Sequence, residues 1–249
     1  MRARTERRGR VFVITMCRED KRNAIDAEMT AALDGALNEL DDDPELWVGI
    51  LSGGARYFSA GTDMKKMSGE PTPRGGEYGI IRRRRTKPLI AAVEGLAFGG
   101  GFETALACDI IVAAEDARFG LPEVKRGLLP TSGGIFRAPR HLPVNVAKEM
   151  ILTGEPVSAA RLERLGVVNR MVAAGEALEE ALRVADAIVA NSPVAVQQSL
   201  QAIDRVISEN DGLGWQATAE ARSVMEKSED RREGVAAFFE RRAPSWPGR

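Results

Sequence analysis

The stretch that decides the fold is residues 88–123, which read PLIAAVEGLAFGGGFETALACDIIVAAEDARFGLPE. An apolar run of strand length opens it, and three consecutive glycines follow at residues 99–101. Residues 102–108 are apolar and compatible with a helix, and a second apolar run at residues 110–114 has strand character. The order of strand, glycine turn, helix and strand predicts a βαβ-like unit.

Two glutamates bracket this unit, Glu103 in the first turn of the predicted helix and Glu123 after the second strand. Glycines directly before a helix let its free N–H groups approach a bound oxygen, because no Cβ atom stands in the way. Backbone donors stabilise a developing oxyanion, and two carboxyl groups move protons. Taken singly, Glu103 is an ordinary first-turn glutamate and Glu123 a surface loop residue. Their joint placement is what indicates an active site.

The composition is that of an ordinary globular protein. The chain has 249 residues, 44% hydrophobic and 29% charged, so it is long enough for one large domain or one domain with a small appendage. Its net charge of −1 provides no global field to recruit nucleic acid or an anionic membrane. No apolar run reaches the roughly 18 residues that span a bilayer, and the chain start lacks a signal-peptide core. We expect a soluble, cytoplasmic protein with no nucleic-acid or membrane partner.

A single histidine, His141, narrows the possible chemistry. Two-histidine metal sites cannot be built from it, and a Ser-His-Asp triad would have to use a histidine that lies near Pro139 and Pro143 with no nucleophile motif beside it. We interpret His141 as a surface residue. Cys17 and Cys108 lack metal-site spacing, so we expect two reduced core cysteines and no metal site. Acid-base chemistry must then fall to carboxylates.

Outside the central stretch, the pattern predicts an α/β core over residues 1–190 and a helical segment over residues 191–249. Further strands are predicted at residues 11–16, 47–51 and 167–172, and helices at 27–40, 145–152, 215–225 and 229–242. Asp26 and Ser192 have the residue type and position of helix N-caps.

Residues 67–87 break this pattern, and their glycines and prolines predict a mobile surface loop. The arginine run at residues 82–85 has two interpretations. It could grip a phosphate-bearing ligand. We favour a solvated helix face, because charge runs are common on protein surfaces.

Several short motifs, in this order and at this spacing, are shared with one known family. They are RNAI at 22–25, FSAGTDM at 58–64, AFGGGFE at 97–103, CDI at 108–110, LPE at 121–123 and GLLPTSGG at 127–134. Through them the chain resembles the crotonase superfamily of enoyl-CoA hydratases and isomerases over nearly its whole length. The resemblance implies an α/β fold with a crotonase-like ββα spiral core that binds acyl-CoA, followed by a helical C-terminal segment.

The resemblance also implies roles for individual residues. The backbone N–H groups of Thr62 and Gly100 would hold the thioester carbonyl as an oxyanion hole. Glu103 and Glu123 match the two catalytic glutamates of the hydratases, with Glu123 as the principal acid and Glu103 as the carboxylate that orients and activates water. Alternatively, the glycines merely permit tight packing, but the presence of both oxyanion segments favours function.

The resemblance places the substrate on a further set of residues. By position, these are Asn23, Ala24, Ala60, Asp63, Met64, Lys65, Thr131, Phe239 and Arg241. No cofactor is implied, because coenzyme A is part of the substrate. The C-terminal segment would help to close the site and to assemble a homotrimer or a dimer of trimers. For Arg241, a solvated helix end is an equally good interpretation.

Two residues depart from the usual family pattern, and alternatives for the activity remain. Thr131 replaces a glycine of typical hydratases, and Phe102 is bulkier than the usual residue before the first glutamate. These features are more similar to carnitinyl-CoA dehydratases, so such a dehydratase is one alternative. An enoyl-CoA isomerase needs only one carboxylate, and the presence of both counts against it. A CoA- or RNA-binding homologue is the non-enzymatic alternative, and the near-neutral charge argues against RNA.

Overall fold

The structure, a computed structural model, describes residues 1–249. The strands are β1 Ala3–Arg8, β2 Val11–Met16, β3 Val48–Ser52, β4 Leu89–Val93, β5 Leu96–Phe98, β6 Ile110–Ala114, β7 Arg118–Gly120, β8 Val157–Ser158 and β9 Arg170–Val172. The helices are α1 Ala27–Asp42, α2 Gly100–Leu106, α3 Gly134–His141, α4 Val144–Thr153, α5 Ala159–Arg164, α6 Ala177–Val189, α7 Pro193–Ile207, α8 Asp211–Lys227 and α9 Glu229–Glu240.

Six strands form one sheet in the order β1-β2-β3-β4-β6-β9, and β5, β7 and β8 form a second, small sheet. In the large sheet β1 is antiparallel to β2, and every other pairing is parallel. Strands β3 and β4 are buried on both faces, as their continuous apolar runs require. The central stretch therefore contributes two neighbouring strands of the large sheet, β4 and β6, and the predicted βαβ-like unit is confirmed.

The two faces of the large sheet are covered by different helices. Along β2, Phe12 and Ile14 face the cluster that contains the apolar stripe of α1. Val11 and Val13 face the opposite side, where α6 packs. The alternation follows from the two-residue side-chain period of a strand. As predicted, Asp26 caps α1, accepting a hydrogen bond from the Met29 N–H.

Strand β1 was not predicted. Five of its six residues are exposed, so no apolar alternation marks it in the sequence. It is an edge strand that turns at Gly9 (φ +61°) and pairs with β2 from Ala3↔Met16 to Arg8↔Val11. The burial predicted for Cys17 is wrong, because this residue follows β2 at the surface, whereas Cys108 is buried.

The helix-face interpretation of the arginine run at residues 82–85 is wrong, and contact of the run with a phosphate-bearing ligand stays a prediction. Arg83 and Arg85 are buried, whereas the other two arginines are exposed. Arg83 forms ion pairs of 2.6 Å with Asp34 and 2.8 Å with Asp41, both on α1. Arg85 donates to both carboxylate oxygens of Asp109. The chain here is extended rather than helical, so alternate arginines point inward, and buried charges need such partners.

The predicted C-terminal helices are present as α7, α8 and α9. Ser192 caps α7, accepting from the Ala195 N–H, with Pro193 in the first turn. None of the residues of α7 is buried in the single chain. Helix α9 packs on the 3-10 turn Pro122–Arg126, since a Cβ atom on Gly234 would lie 2.4 Å from backbone atoms of Arg126. None of the nine helices combines the length and the apolarity that a membrane crossing requires.

Candidate active site

Residues 58–63 run along β5 and the start of α2. The Phe98 N–H donates to the Ser59 carbonyl (2.9 Å), which fixes the register of the two segments. Gly61 has φ +83°, and a Cβ atom there would lie 2.7 Å from the Phe98 carbonyl oxygen and 2.8 Å from the Gly100 nitrogen. Only glycine fits this approach, and it brings Thr62 beside the first turn of α2.

The candidate oxyanion donors are unpaired within the chain. The N–H groups of Thr62 and Gly100 donate to no protein acceptor. Gly100 is the first residue of α2, where the helix itself offers no acceptor. The turn before α2 depends on Gly99, which has φ +53°. The structure therefore brings together the two segments that the family resemblance assigned to an oxyanion hole.

Glu103 lies on α2 and is 2% exposed. Its Oε1 accepts hydrogen bonds from the Ser132 and Gly134 N–H groups, both at 2.8 Å. Burial raises the pKa of Glu103, and the negative charge of Glu123 raises it further, while the two N–H donors oppose the shift. A Cβ atom on Gly134 would lie 2.9 Å from the same oxygen, so the Glu103 carboxylate lies in direct contact with the Gly134 backbone.

Glu123 lies in the 3-10 turn Pro122–Arg126. Its Oε1 would be 2.9 Å from a Cβ atom on Gly99, and its Oε2 is buried with no hydrogen-bond partner. Burial raises the pKa of this carboxyl. A single ionised carboxylate is favoured where two lie close together. The two N–H donors from the turn before α3 favour the charge on Glu103, and the buried, unpartnered Oε2 favours the proton on Glu123.

The chain has the sequence and the fold of a known enzyme family. A family model described as "Enoyl-CoA hydratase/isomerase" matches residues 6–249.

The chain belongs to the enoyl-CoA hydratase/isomerase family.

Individual relatives match over their full length. A carnitinyl-CoA dehydratase of Salmonella typhi is 43% identical over 256 residues, which cover 98% of this chain and 97% of that protein. An enoyl-CoA hydratase of Mycobacterium tuberculosis is 38% identical over 257 residues, 99% of this chain and 97% of that protein. The crystal structure of carnitinyl-CoA hydratase from Mycobacterium avium has a TM-score of 0.93 at 40% identity and covers 100% of this chain and 99% of that chain. The predicted membership and crotonase-like fold are confirmed.

Two of the residues assigned to CoA binding, Asn23 and Asp63, have side chains that are already engaged within the chain. Asn23 is fully buried, and its side-chain nitrogen donates to the Gly53 and Tyr57 carbonyls at 2.7 and 2.8 Å. Its side chain therefore stabilises the backbone, and contact with a ligand would fall to the main chain. Asp63 is likewise committed, through an ion pair of 2.7 Å with the buried Arg18.

The other residues assigned to substrate binding have free surface. Those that are partly or fully exposed are Ala24, Ala60, Met64, Lys65, Thr131, Phe239 and Arg241. Phe239 and Arg241 lie at the end of α9. Their contact with coenzyme A stays a prediction.

Phe102, which departs from the usual family residue, has no part in this surface. Its side chain is fully buried, and its ring centroid is 5.4 Å from that of Phe119 in an edge-to-face arrangement. The extra bulk is therefore accommodated in the hydrophobic core. His141 is exposed, as predicted.

Sequence reasoning missed two parts of the site. Ser132 lies in the quoted motif at 127–134, but nothing in the sequence indicated that its N–H group would hold Glu103. Tyr78 lies in the segment predicted as a mobile loop, yet it is buried and its hydroxyl is 2.8 Å from Oγ1 of Thr62. The one signal available was a single tyrosine among the glycines of that segment.

Proposed function

We propose that this chain is an enoyl-CoA hydratase, which adds water reversibly across the 2,3 double bond of a 2-enoyl-CoA thioester. One observation carries the proposal. Two carboxyl groups with raised pKa lie beside two free backbone N–H groups; Oε1 of Glu103 accepts two hydrogen bonds, whereas Oε2 of Glu123 is buried and accepts none. Hydration needs both a base and an acid, and this asymmetry supplies them.

The backbone donors would act on the thioester carbonyl. Attack of water at C3 moves electrons onto the carbonyl oxygen, which gains enolate character. The N–H groups of Thr62 and Gly100 would stabilise that charge without reorganising, because both are fixed by the chain. Losing one such donor typically costs about 3–4 kcal/mol of barrier.

The two glutamates would divide the proton transfers. Glu103, ionised, accepts a proton from water as the water oxygen bonds to C3. Glu123, protonated, donates its proton to C2 as the enolate collapses. The pair holds one proton before and after the reaction, so exchange between the two carboxyls or with solvent restores the starting state. The steps use no cofactor.

Dehydration is the same reaction in reverse, and a dehydratase is the second candidate. The observation that favours it is the 43% identity with a carnitinyl-CoA dehydratase. The substrate class, a CoA thioester, is common to both. The isomerase alternative uses one carboxylate and leaves the second without a role.

We also propose that the protein works as a homo-oligomer, a trimer or a dimer of trimers, in the cytoplasm. Support for association comes from large apolar side chains exposed on the C-terminal helices of the single chain. They are Val194, Ile203, Val206, Ile207, Leu213 and Val224. Both cysteines are free, as is usual in a reducing compartment.

The proposal is tested by mixing the protein with crotonyl-CoA and longer 2-enoyl-CoAs and following the loss of the conjugated thioester absorbance. The expected product is the 3-hydroxyacyl-CoA. Glu123→Gln should remove nearly all turnover while acyl-CoA binding persists. Glu115→Gln, a change at an exposed glutamate, is the matched control. Turnover by Glu123→Gln at the rate of the control would refute the role of Glu123.

A further inference from the structure

Tyr78 lies against both candidate oxyanion donors. It is 6% exposed, and its hydroxyl is 2.8 Å from Oγ1 of Thr62. A Cβ atom on Gly100 would lie 2.5 Å from the Tyr78 hydroxyl oxygen and 2.6 Å from Cζ, so the phenol ring covers the Gly100 backbone. No other side chain combines a contact with Gly100 and a hydrogen bond to Thr62.

The phenol is electrostatically part of the site. Burial raises the pKa of Tyr78, the charge of Glu103 raises it further, and Glu123 adds to the effect. The Ser132 and Thr62 side chains oppose this shift. Ser132 is the residue whose N–H group donates to Glu103. A single hydroxyl is thus hydrogen-bonded to the oxyanion segment and electrostatically coupled to Glu103.

The backbone presents Tyr78 in a costly conformation. Its φ of 56° is in the left-handed region, which few residues other than glycine adopt. Gly79, with φ +76°, anchors the turn on α1, since a Cβ atom there would lie 2.7 Å from the Asp34 nitrogen. Strained residues persist only where the surrounding structure holds them, and they are concentrated at functional sites. The turn therefore keeps the phenol in one place.

We propose that Tyr78 is a positioning residue of the oxyanion hole. Through its hydrogen bond to the Thr62 hydroxyl, it holds the Thr62 N–H at the place where the thioester oxygen gains charge. This inference rests on the proposed function, because it assigns Tyr78 a role in that reaction. Thr62 is partly exposed, and its side chain makes no other hydrogen bond, so the phenol is its one polar anchor.

The proposal separates binding from catalysis. Without the phenol hydroxyl, the Thr62 segment keeps its backbone bonds but loses this side-chain anchor. Ground-state binding of acyl-CoA is then preserved, whereas stabilisation of the enolate-like state declines. We expect Tyr78→Phe to lower kcat about 10-fold, below the roughly 100-fold loss for a whole oxyanion donor, with KM within about twofold of wild type.

The test is a double-mutant cycle of Tyr78→Phe and Thr62→Val. If Tyr78 acts through the Thr62 hydroxyl, the double variant has the kcat of the slower single variant. Tyr57→Phe is the matched control, because Tyr57 is the only other tyrosine and its hydroxyl makes no hydrogen bond. Additive losses in the double variant, or wild-type kcat in Tyr78→Phe, would overturn the proposal.

A second readout does not depend on turnover. Acetoacetyl-CoA ionises to an enolate that absorbs in the near ultraviolet, and an oxyanion hole raises the bound enolate fraction. We expect this fraction to fall in Tyr78→Phe and to be unchanged in Tyr57→Phe, at equal occupancy. If no 2-enoyl-CoA is hydrated but the enolate fraction still falls in Tyr78→Phe, hydration fails as the proposed function, whereas the positioning of the Thr62 N–H by Tyr78 is supported for a different thioester reaction. An enolate fraction equal in Tyr78→Phe and wild type, or absent from both, overturns the Tyr78 proposal.

Discussion

Gly61→Ala should inactivate the site by steric intrusion between the two oxyanion segments. The new Cβ atom would lie 2.8 Å from the Gly100 nitrogen, whereas ordinary contact begins at 3.4 Å, so the segments must separate by about 0.6 Å. A misplacement approaching 1 Å costs up to about 100-fold in rate, and we expect kcat to fall about 30-fold. Steady-state hydration of crotonyl-CoA measures this loss.

Backbone strain has to be separated from intrusion. An alanine at the left-handed φ of Gly61 (+83°) costs about 1–2 kcal/mol of stability by itself. Gly54 has nearly the same φ, +84°, but no atom within 4 Å of its Cβ position. Gly54→Ala should therefore lower the melting temperature by a few degrees and leave kcat unchanged. Equal kcat in the two variants would show that the close approach of residues 61 and 100 has no part in catalysis.

Three further predictions concern the charges. Glu123→Gln should lower kcat about 10³-fold relative to Glu115→Gln, measured with crotonyl-CoA; a loss under tenfold would contradict its role as acid. Burial raises the pKa of Glu103 and Glu123 in the folded state above the ordinary value of 4.5, which applies to the unfolded chain. Their contribution to the free energy of unfolding is therefore fully present below the pKa of the unfolded chain and is lost as the pH rises through the raised pKa of the folded state. Thermal melts should show that the melting temperature of the wild type falls relative to that of the Glu103→Gln/Glu123→Gln variant as the pH rises. Parallel curves of melting temperature against pH would disprove this. Arg83→Met should destabilise the fold by about 2–3 kcal/mol in urea unfolding, since two partly buried aspartates lose their contact with the buried guanidinium, against under about 0.5 kcal/mol for the exposed Arg84→Met; similar values for the two would contradict it.

The central part of the fold could be predicted because its local signals agree. The apolar runs of β4 and β6 are separated by a segment in which Gly95 and Gly99 have positive φ, and the helix between them contains no proline. Strand β1 could not be predicted in this way. It is a polar edge strand that forms by backbone hydrogen bonding to β2. Because backbone pairing does not depend on particular side chains, the sequence of β1 carries no strand pattern.

The arginine run shows a second limit of sequence reasoning. A charge run is solvated in most proteins, and only the fold reveals that Asp34 and Asp41 on α1 and Asp109 lie opposite Arg83 and Arg85. Such pairs join residues that are more than 20 positions apart. No periodicity within either segment encodes them.

The motifs could name candidate site residues, but they could not reveal the contacts that packing creates around those residues. Glu103, Glu123, Thr62 and Gly100 belong to quoted motifs, and the fold brings their segments together. The hydrogen bonds from the Ser132 and Gly134 N–H groups to Glu103 are backbone contacts, which any residue type can make. The two N–H donors to Glu103 therefore could not be predicted without the conformation of the turn before α3.

The central claim is that water and a proton add across the double bond of a 2-enoyl-CoA. The most direct test is to incubate the protein with crotonyl-CoA in deuterated water and to analyse the product by mass spectrometry and NMR. The expected product is 3-hydroxybutyryl-CoA with one deuterium at C2, the position that Glu123 would protonate. A product with a shifted double bond and no hydroxyl group, or unchanged crotonyl-CoA at saturating enzyme, would contradict it.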